Sequence, residues 1–213
     1  MPSNSTTDAP KIIIGIDPGT NLLGYSIIRV QRRNVQLIAM GVIDLRRCTD
    51  VYAKLGRIYE RVKGIIDSFQ PDELAIEAPF FGKNVQSMLK LGRAQGVAIA
   101  AAISRNIPIY EYAPMKIKMA ITGNGQASKE QMAAMLSRIF TIRPEAMPPY
   151  LDASDALGVA YCHYLQSHAF ISSVPAGHRG TATRNWSDFI KQNPERLSQT
   201  KNPLRPRPIR HKM

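Results

Sequence analysis

Residues 11–17, Lys-Ile-Ile-Ile-Gly-Ile-Asp, put four isoleucines into five consecutive positions and then meet Pro18-Gly19. Successive side chains of a strand point to opposite faces, so an unbroken β-branched run needs apolar cover on both sides. Such a strand belongs inside a layered α/β structure with helices on both faces of its sheet. Asp17 then stands at the strand's end, where Pro18 and Gly19 turn the chain.

The following segments fit that frame. Gly24 to Val30 and Val35 to Ile43 read as two further strands joined by the polar turn Gln31 to Asn34, which gives an antiparallel meander. From Val51 the apolar residues Leu55, Ile58, Val62, Ile65, Ile66 and Phe69 recur at helical spacing, and Pro71 ends the pattern. Glu73 to Glu77 predicts a short strand, Asn84 to Ile103 a helix rich in Leu, Ala and Gly, and Ile107 to Tyr112 another strand. Ser128 with Gln131 predicts a capping box, and a last helix runs from about Asp152 to His168. Alternating strands and helices imply parallel pairing, so the expectation is a mixed five-stranded sheet, antiparallel first and parallel later.

A chain of 213 residues suits one well-filled domain and is too short for two large lobes. Its 28 Lys and Arg against 16 Asp and Glu give a net charge of +12, which points to polyanionic partners. The excess is concentrated in residues 171–213, where nine basic residues face two acidic ones and the run Lys201 to Lys212 alternates Pro with Arg. That tail lacks the apolar surface to offset its ordering entropy and is expected to be disordered when free. The chain thus divides into a flexible extension (1–10), a folded domain (11–170) and a basic tail (171–213). Cys48 and Cys162 form no disulfide framework, the start has no apolar leader segment, and no 18-residue apolar run occurs. A cytoplasmic protein with no membrane contact is expected.

Four acids stand out. Asp17 and Glu77 each end a strand, and Asp152 and Asp155, three residues apart, share one face of a helix. Singly, Asp17 before Pro-Gly suits a turn and Asp152 suits a helix cap. Glu77 has no such account: it stands within Leu74-Ala75-Ile76-Glu77-Ala78-Pro79-Phe80-Phe81, where an unpaired charge is costly. If the first and fourth strands are neighbours, the four carboxylates converge, and a hard divalent cation would neutralise them. His163, eleven residues beyond Asp152, lies about 16 Å along the helix and reads as structural. Met88, Met115, Met119, Met132 and Met135 read as packing residues.

Several blocks, in order, resemble the RuvC family of crossover junction endodeoxyribonucleases. They are Ile14-Gly-Ile-Asp17-Pro-Gly-Thr20 with Gly24-Tyr25, Ala75-Ile-Glu77 with Phe80 and Lys83-Asn84, Leu89-Lys-Leu-Gly-Arg93-Ala-Gln-Gly-Val97, and Asp152-Ala-Ser-Asp155-Ala-Leu157. The resemblance covers residues 11–168. It implies a ribonuclease H-like fold, two Mg²⁺ ions per subunit (Mn²⁺ as the alternative) on Asp17, Glu77, Asp152 and Asp155, and a homodimer that nicks a four-way DNA junction symmetrically. It implies RuvA and RuvB as partners, and DNA contacts at Phe80, Lys83, Asn84, Lys118 and Lys129. Read without it, Phe80 fits a core aromatic beside Phe81 equally well. The N-terminal extension and the tail depart from the family's usual extent, and the tail is expected either to add nonspecific phosphate contacts or to have no role.

Other functions meet obstacles. An actin-like or heat-shock-type ATPase also begins with an apolar strand and Asp-Gly-Thr, but it needs two lobes. A noncatalytic DNA binder explains the charge and leaves the four acids unexplained. A nuclease of the same fold acting on RNA or linear duplex differs by lacking the twofold dimer, for which the small residues Gly92, Ala94, Gly96 and Ala98 are the expected contact surface.

Overall fold

The computed structural model describes residues 9–79, 84–143, 145 and 150–172. The strands β1 (Lys11–Asp17), β2 (Leu22–Gln31) and β3 (Asn34–Asp44) are followed by α1 (Val51–Phe69), β4 (Glu73–Glu77), α2 (Val85–Ile103) and β5 (Ile109–Tyr112). Three helices, α3 (Pro114–Thr122), α4 (Lys129–Ile139) and α5 (Leu151–Ser172), complete the described elements. The sheet order is β3-β2-β1-β4-β5. β1 and β3 both pair antiparallel with β2, whereas β4 runs parallel to β1 and to β5. The mixed five-stranded ribonuclease H-like sheet is therefore present, with the isoleucine strand at its centre.

The alternation along β1 explains its composition. Ile14 and Ile16 pack on one face against Ile58 and Val62 of α1 and Ala98 and Ala101 of α2. Ile13 faces the other way, into a layer with Leu136 of α4 and Leu157 and Ala160 of α5. Each of these isoleucines is at most 1 % exposed. At about 25 cal/mol per Å² of apolar surface removed from water, the two layers supply the main drive for folding.

α5 lies against β1 and β2 at very short range. A Cβ on Gly15 would come within 2.3 Å of the Ala156 carbonyl oxygen, and one on Gly24 within 1.9 Å of the Asp152 carbonyl oxygen. Only glycine lets the helix backbone sit directly on these strands. Between them the buried Ser26 hydroxyl donates to the Ala156 carbonyl at 2.9 Å.

Local signals account for most boundaries. The Asp50 carboxylate accepts from the Ala53 N–H and opens α1, and Gln70 at φ 47° closes it before Pro71. Ser128 and Gln131 form the full capping box of α4. β2 and β3 are longer than expected and β5 shorter. α3 was not anticipated: nine residues without strong periodicity hide their helix, whose sequence marks are Pro114 in its first turn and Gly123 at φ 71° after its last.

Other expectations divide. His163 is structural: it is 2 % exposed, Tyr112 Oη lies 2.7 Å from Nδ1, and Glu73 Oε2 lies 2.7 Å from Nε2. The Glu73 carboxylate only accepts, so Nε2 carries the proton and the tyrosine hydroxyl donates to Nδ1. Burial, opposed by the hydrogen bond to Glu73, holds the His163 pKa below its ordinary value. Met132 is buried and Met135 packs beside it, whereas Met115 and Met119 are more than half exposed. On α2, Ala94 and Ala98 face the core and only Gly92 and Gly96 are open, because the helix turns its alanines toward β1. Cys162 is buried and Cys48 partly so, both as free thiols. No described helix is long and apolar enough to cross a membrane.

Gly24→Ala is expected to push α5 off the sheet and to cost about 1–3 kcal/mol, since overpacking of backbone is hard to relieve. Thermal unfolding measures it; an unchanged Tm would contradict the close seat of α5.

Candidate metal centre

The register brings the acids together. Asp17 is the last residue of β1 and Glu77 the last of β4, and these strands are parallel neighbours, so both carboxylates leave the same sheet edge. Asp17 also pairs with Gly24, on which the first turn of α5 rests, and that turn carries Asp152 and, three residues on, Asp155. A cavity of about 200 Å³ opens here, lined by Asp17, Glu77 and Asp155, by Lys118 and Ile117 of α3, and by Lys129 and Met132 of α4. Asp152 does not line it. It stands at the rim, close enough that its charge acts on Asp17, Asp155 and Lys129.

Electrostatics mark this as the most strained charge cluster among the described residues. Burial, then Glu77, Asp155 and Asp152, push the Asp17 pKa well above its ordinary value, against the pull of Lys129. Asp17 keeps some accessible surface, yet it lies deep beneath the groove, and burial dominates. Burial and then Asp155 push Glu77 up to about 7, with Lys129 and Lys118 opposing. Asp155 is raised by burial despite its ion pair with the Lys129 ammonium, which is held above its ordinary pKa by that same contact. Asp155 is only 13 % exposed and Lys129 is 56 % exposed, so burial outweighs the ion pair at the acid and the ion pair outweighs burial at the lysine.

Among the described residues, no group of three or more acidic, histidine or cysteine side chains is placed so that it could hold a metal ion. The arrangement is an open groove of oxygen donors. A hard cation that keeps part of its water shell and takes oxygens from a phosphate fits such a donor set. Two lysines, Lys118 and Lys129, line the same groove and give it cations suited to phosphate.

Of the expected DNA contacts, Lys118 and Lys129 line the groove, and Asn84 caps α2 by accepting from the Ser87 N–H at 3.1 Å. Phe80 and Lys83 lie outside the described residues, as does the tail beyond Ser172. Sequence reasoning missed three supports. Gln95, 8 % exposed, donates to Glu111 at 2.9 Å and reaches the Glu77 carbonyl at 3.4 Å, which steadies the end of β4. Its signal is an amide within the small apolar stretch Ala94 to Ala102 of that helix. Ile117 and Met132 wall the groove, and Arg46 ties Asp44, at 2.7 Å, to Tyr150, at 3.1 Å, just ahead of α5.

A five-stranded ribonuclease H-like sheet with carboxylates gathered at one edge defines the class. The yeast mitochondrial Holliday junction resolvase Ydc2 has the same fold, at 13 % identity and a TM-score of 0.54 over 75 % of this chain and 82 % of that one. The sequence model of crossover junction endodeoxyribonuclease RuvC matches residues 13–163. The chain belongs to the RuvC family. The crossover junction endodeoxyribonuclease RuvC of Bacteroides fragilis is 61 % identical over 187 residues, 88 % of this chain and 96 % of that protein. Thermus thermophilus RuvC, solved in complex with Holliday junction substrate, is 30 % identical with a TM-score of 0.68, over 75 % of this chain and 96 % of that one. The 187 positions shared with the Bacteroides protein exceed the 172 that end with α5, so that relative carries part of a similar tail.

The raised acids give a signed pH dependence. With Glu77 near 7 in the fold and 4.5 as its ordinary value, the metal-free folded chain holds a proton that the unfolded chain has lost. Stability contributed by this group is complete below about pH 4.5 and lost as pH rises through about 7. Without metal, Tm is expected to be lower at pH 8 than at pH 5, and millimolar Mg²⁺ to restore it. Glu77→Gln is expected to stabilise the metal-free protein at pH 8 by about 1–3 kcal/mol and to flatten its response to Mg²⁺. A Tm of the variant equal to the parent's at pH 8 would contradict this.

Proposed function

We propose that the chain is a structure-selective endodeoxyribonuclease that resolves Holliday junctions by paired, symmetric phosphodiester hydrolysis in DNA recombination and repair. The observation that carries the reading is that Asp17, Glu77 and Asp155 line one groove together with Lys118 and Lys129, with the charge of Asp152 close enough to act on Asp17. Membership of the RuvC family supports the substrate, and the Thermus relative with its junction substrate supports it further.

The four carboxylates would hold divalent metal, two Mg²⁺ ions or Mn²⁺ in their place. When bound, such ions supply activation of water and neutralisation of charge on the phosphate and leaving oxygen. The chain's residues do the rest. Asp17 and Glu77, fixed by adjacent strands, set the base of the site, and Asp155 closes it from α5. Lys118 and Lys129, which line the same groove, would draw the scissile phosphate into it. The acidic groove lies in a chain of charge +12, so phosphate contacts elsewhere hold the DNA against local repulsion.

A junction has twofold symmetry, and a homodimer with one site per subunit matches it. The surface we assign to the dimer is the exposed row Val85, Leu89, Gly96, Ala100 and Ile103 on α2, in which Val85, Leu89 and Ile103 are 55–60 % exposed. RuvA and RuvB are the proposed partners in branch migration, and the cytoplasm the proposed location.

Incubation with a synthetic mobile four-way junction and Mg²⁺ is expected to give paired symmetric nicks, and equal cutting of linear duplex would overturn the reading. Asp17→Asn or Asp155→Asn is expected to lower cleavage more than about a hundredfold while junction binding persists. A separate check addresses the dimer: Leu89→Glu is expected to give monomers by sedimentation velocity and single, unpaired nicks.

A further inference from the structure

A second cavity, about 240 Å³, opens between α1 and α2 on the sheet face away from α5. Its rim carries Lys54, Lys90 and Arg93, its floor is Leu55, Ile58 and Ala94, and no acidic side chain lines it. Lys54 Nζ donates to the Thr20 carbonyl at 2.8 Å and to Asn21 Oδ1 at 3.1 Å, which fixes the β1–β2 loop as one wall. Lys90 and Arg93 are exposed, and among the described residues neither has an ion-pair partner.

Position connects this cavity to the acids. The Asp17–Gly24 and Leu22–Asp44 pairings put the ends of β1 and β3 at one sheet edge, and α1 and α2 both begin there. Thr20 is three residues from Asp17, a reach of at most about 11 Å of chain. DNA seated on the acidic groove therefore passes within a few nucleotides of the cationic rim. Lys90 and Arg93 lie on the α1 side of α2, beside the apolar row assigned to the dimer rather than within it.

Resting on the nuclease reading above, we infer that this cavity is a second DNA site, which holds a backbone phosphate on Lys90 and Arg93 with the adjoining sugar against the apolar floor. Charge complementarity selects the occupant: three cations without a lining acid attract a polyanion and repel the chain's own basic tail. The size agrees, since 240 Å³ admits one sugar-phosphate unit and no folded segment. The site would anchor the strand flanking the cut, so that the scissile phosphate is held without drawing on the acidic groove.

Binding of the full chain to a synthetic four-way junction, without divalent cation and over a series of salt concentrations, tests it. Lys90→Ala/Arg93→Ala is expected to reduce the slope of log K against log salt by about 0.9, and affinity at 0.1 M salt about eightfold, the loss of one phosphate contact. Both side chains are exposed, so Tm is expected to be unchanged, and Arg93→Gln alone, which keeps length and polarity, is expected to lower the slope too. An unchanged slope overturns the inference, as does an equal fall in the charge-matched pair Arg29→Ala/Arg61→Ala, placed away from this edge. Junction cutting by the unaltered chain is measured in parallel. Its failure sinks the nuclease reading, whereas cutting with an unchanged slope in the variants sinks only the second site.

Discussion

The contact on which the structure most depends is the seat of α5 on β1 and β2. Helix backbone meets strand backbone because Gly15 and Gly24 present no Cβ, and the Ser26 hydroxyl ties the two through the Ala156 carbonyl. At ordinary helix-to-sheet spacing the first turn of α5 would stand several ångströms farther from the end of β1. Asp155 would then not share a groove with Asp17 and Glu77. Tight packing of small residues thus has an electrostatic consequence: it forces like charges together.

That proximity costs stability, and the fold tolerates it because two apolar layers flank a central strand with almost no accessible surface. Lys129 offsets part of the repulsion by pairing with Asp155, while burial raises the pKa of Asp17 and brings that of Glu77 up to about 7. The site is therefore poised to gain cations, and the gain is greatest where the acids are most deeply set. By contrast, the chain Tyr112–His163–Glu73–Lys11, which runs from the buried histidine out to a partly exposed lysine, is fully paired, with Lys11 at 2.5 Å from Glu73, and it anchors the opposite end of β4. One end of that strand is electrostatically satisfied and the other is held in tension.

Much of this was legible in the residues. The isoleucine run implied a central strand, Glu77 in an apolar stretch implied a charge in need of a partner, and the i, i+3 spacing placed Asp152 and Asp155 on one helix face. Other features were not. α3 is too short to show a period, although it brings Lys118 to the groove. The small residues of α2 looked like one surface, but a helix turns 100° per residue and sends Ala94 and Ala98 to the core while leaving Gly92 and Gly96 open. Asp152 looked equivalent to Asp155, and the structure leaves it at the rim.

Taken by itself, the sequence determined the order of the five strands and of every described helix but α3, the layered class and the identity of the acids, because periodicity, capping and the cost of burying charge are local properties. Tertiary structure alone decided that β4 lies beside β1, that α5 approaches within backbone contact, and that Lys118 and Lys129 line one groove with the carboxylates. Those outcomes depend on distances between residues up to 138 positions apart, from Asp17 to Asp155, and no local pattern encodes them. Packing sets them, through the shape of the glycine-bearing surface on which α5 comes to rest.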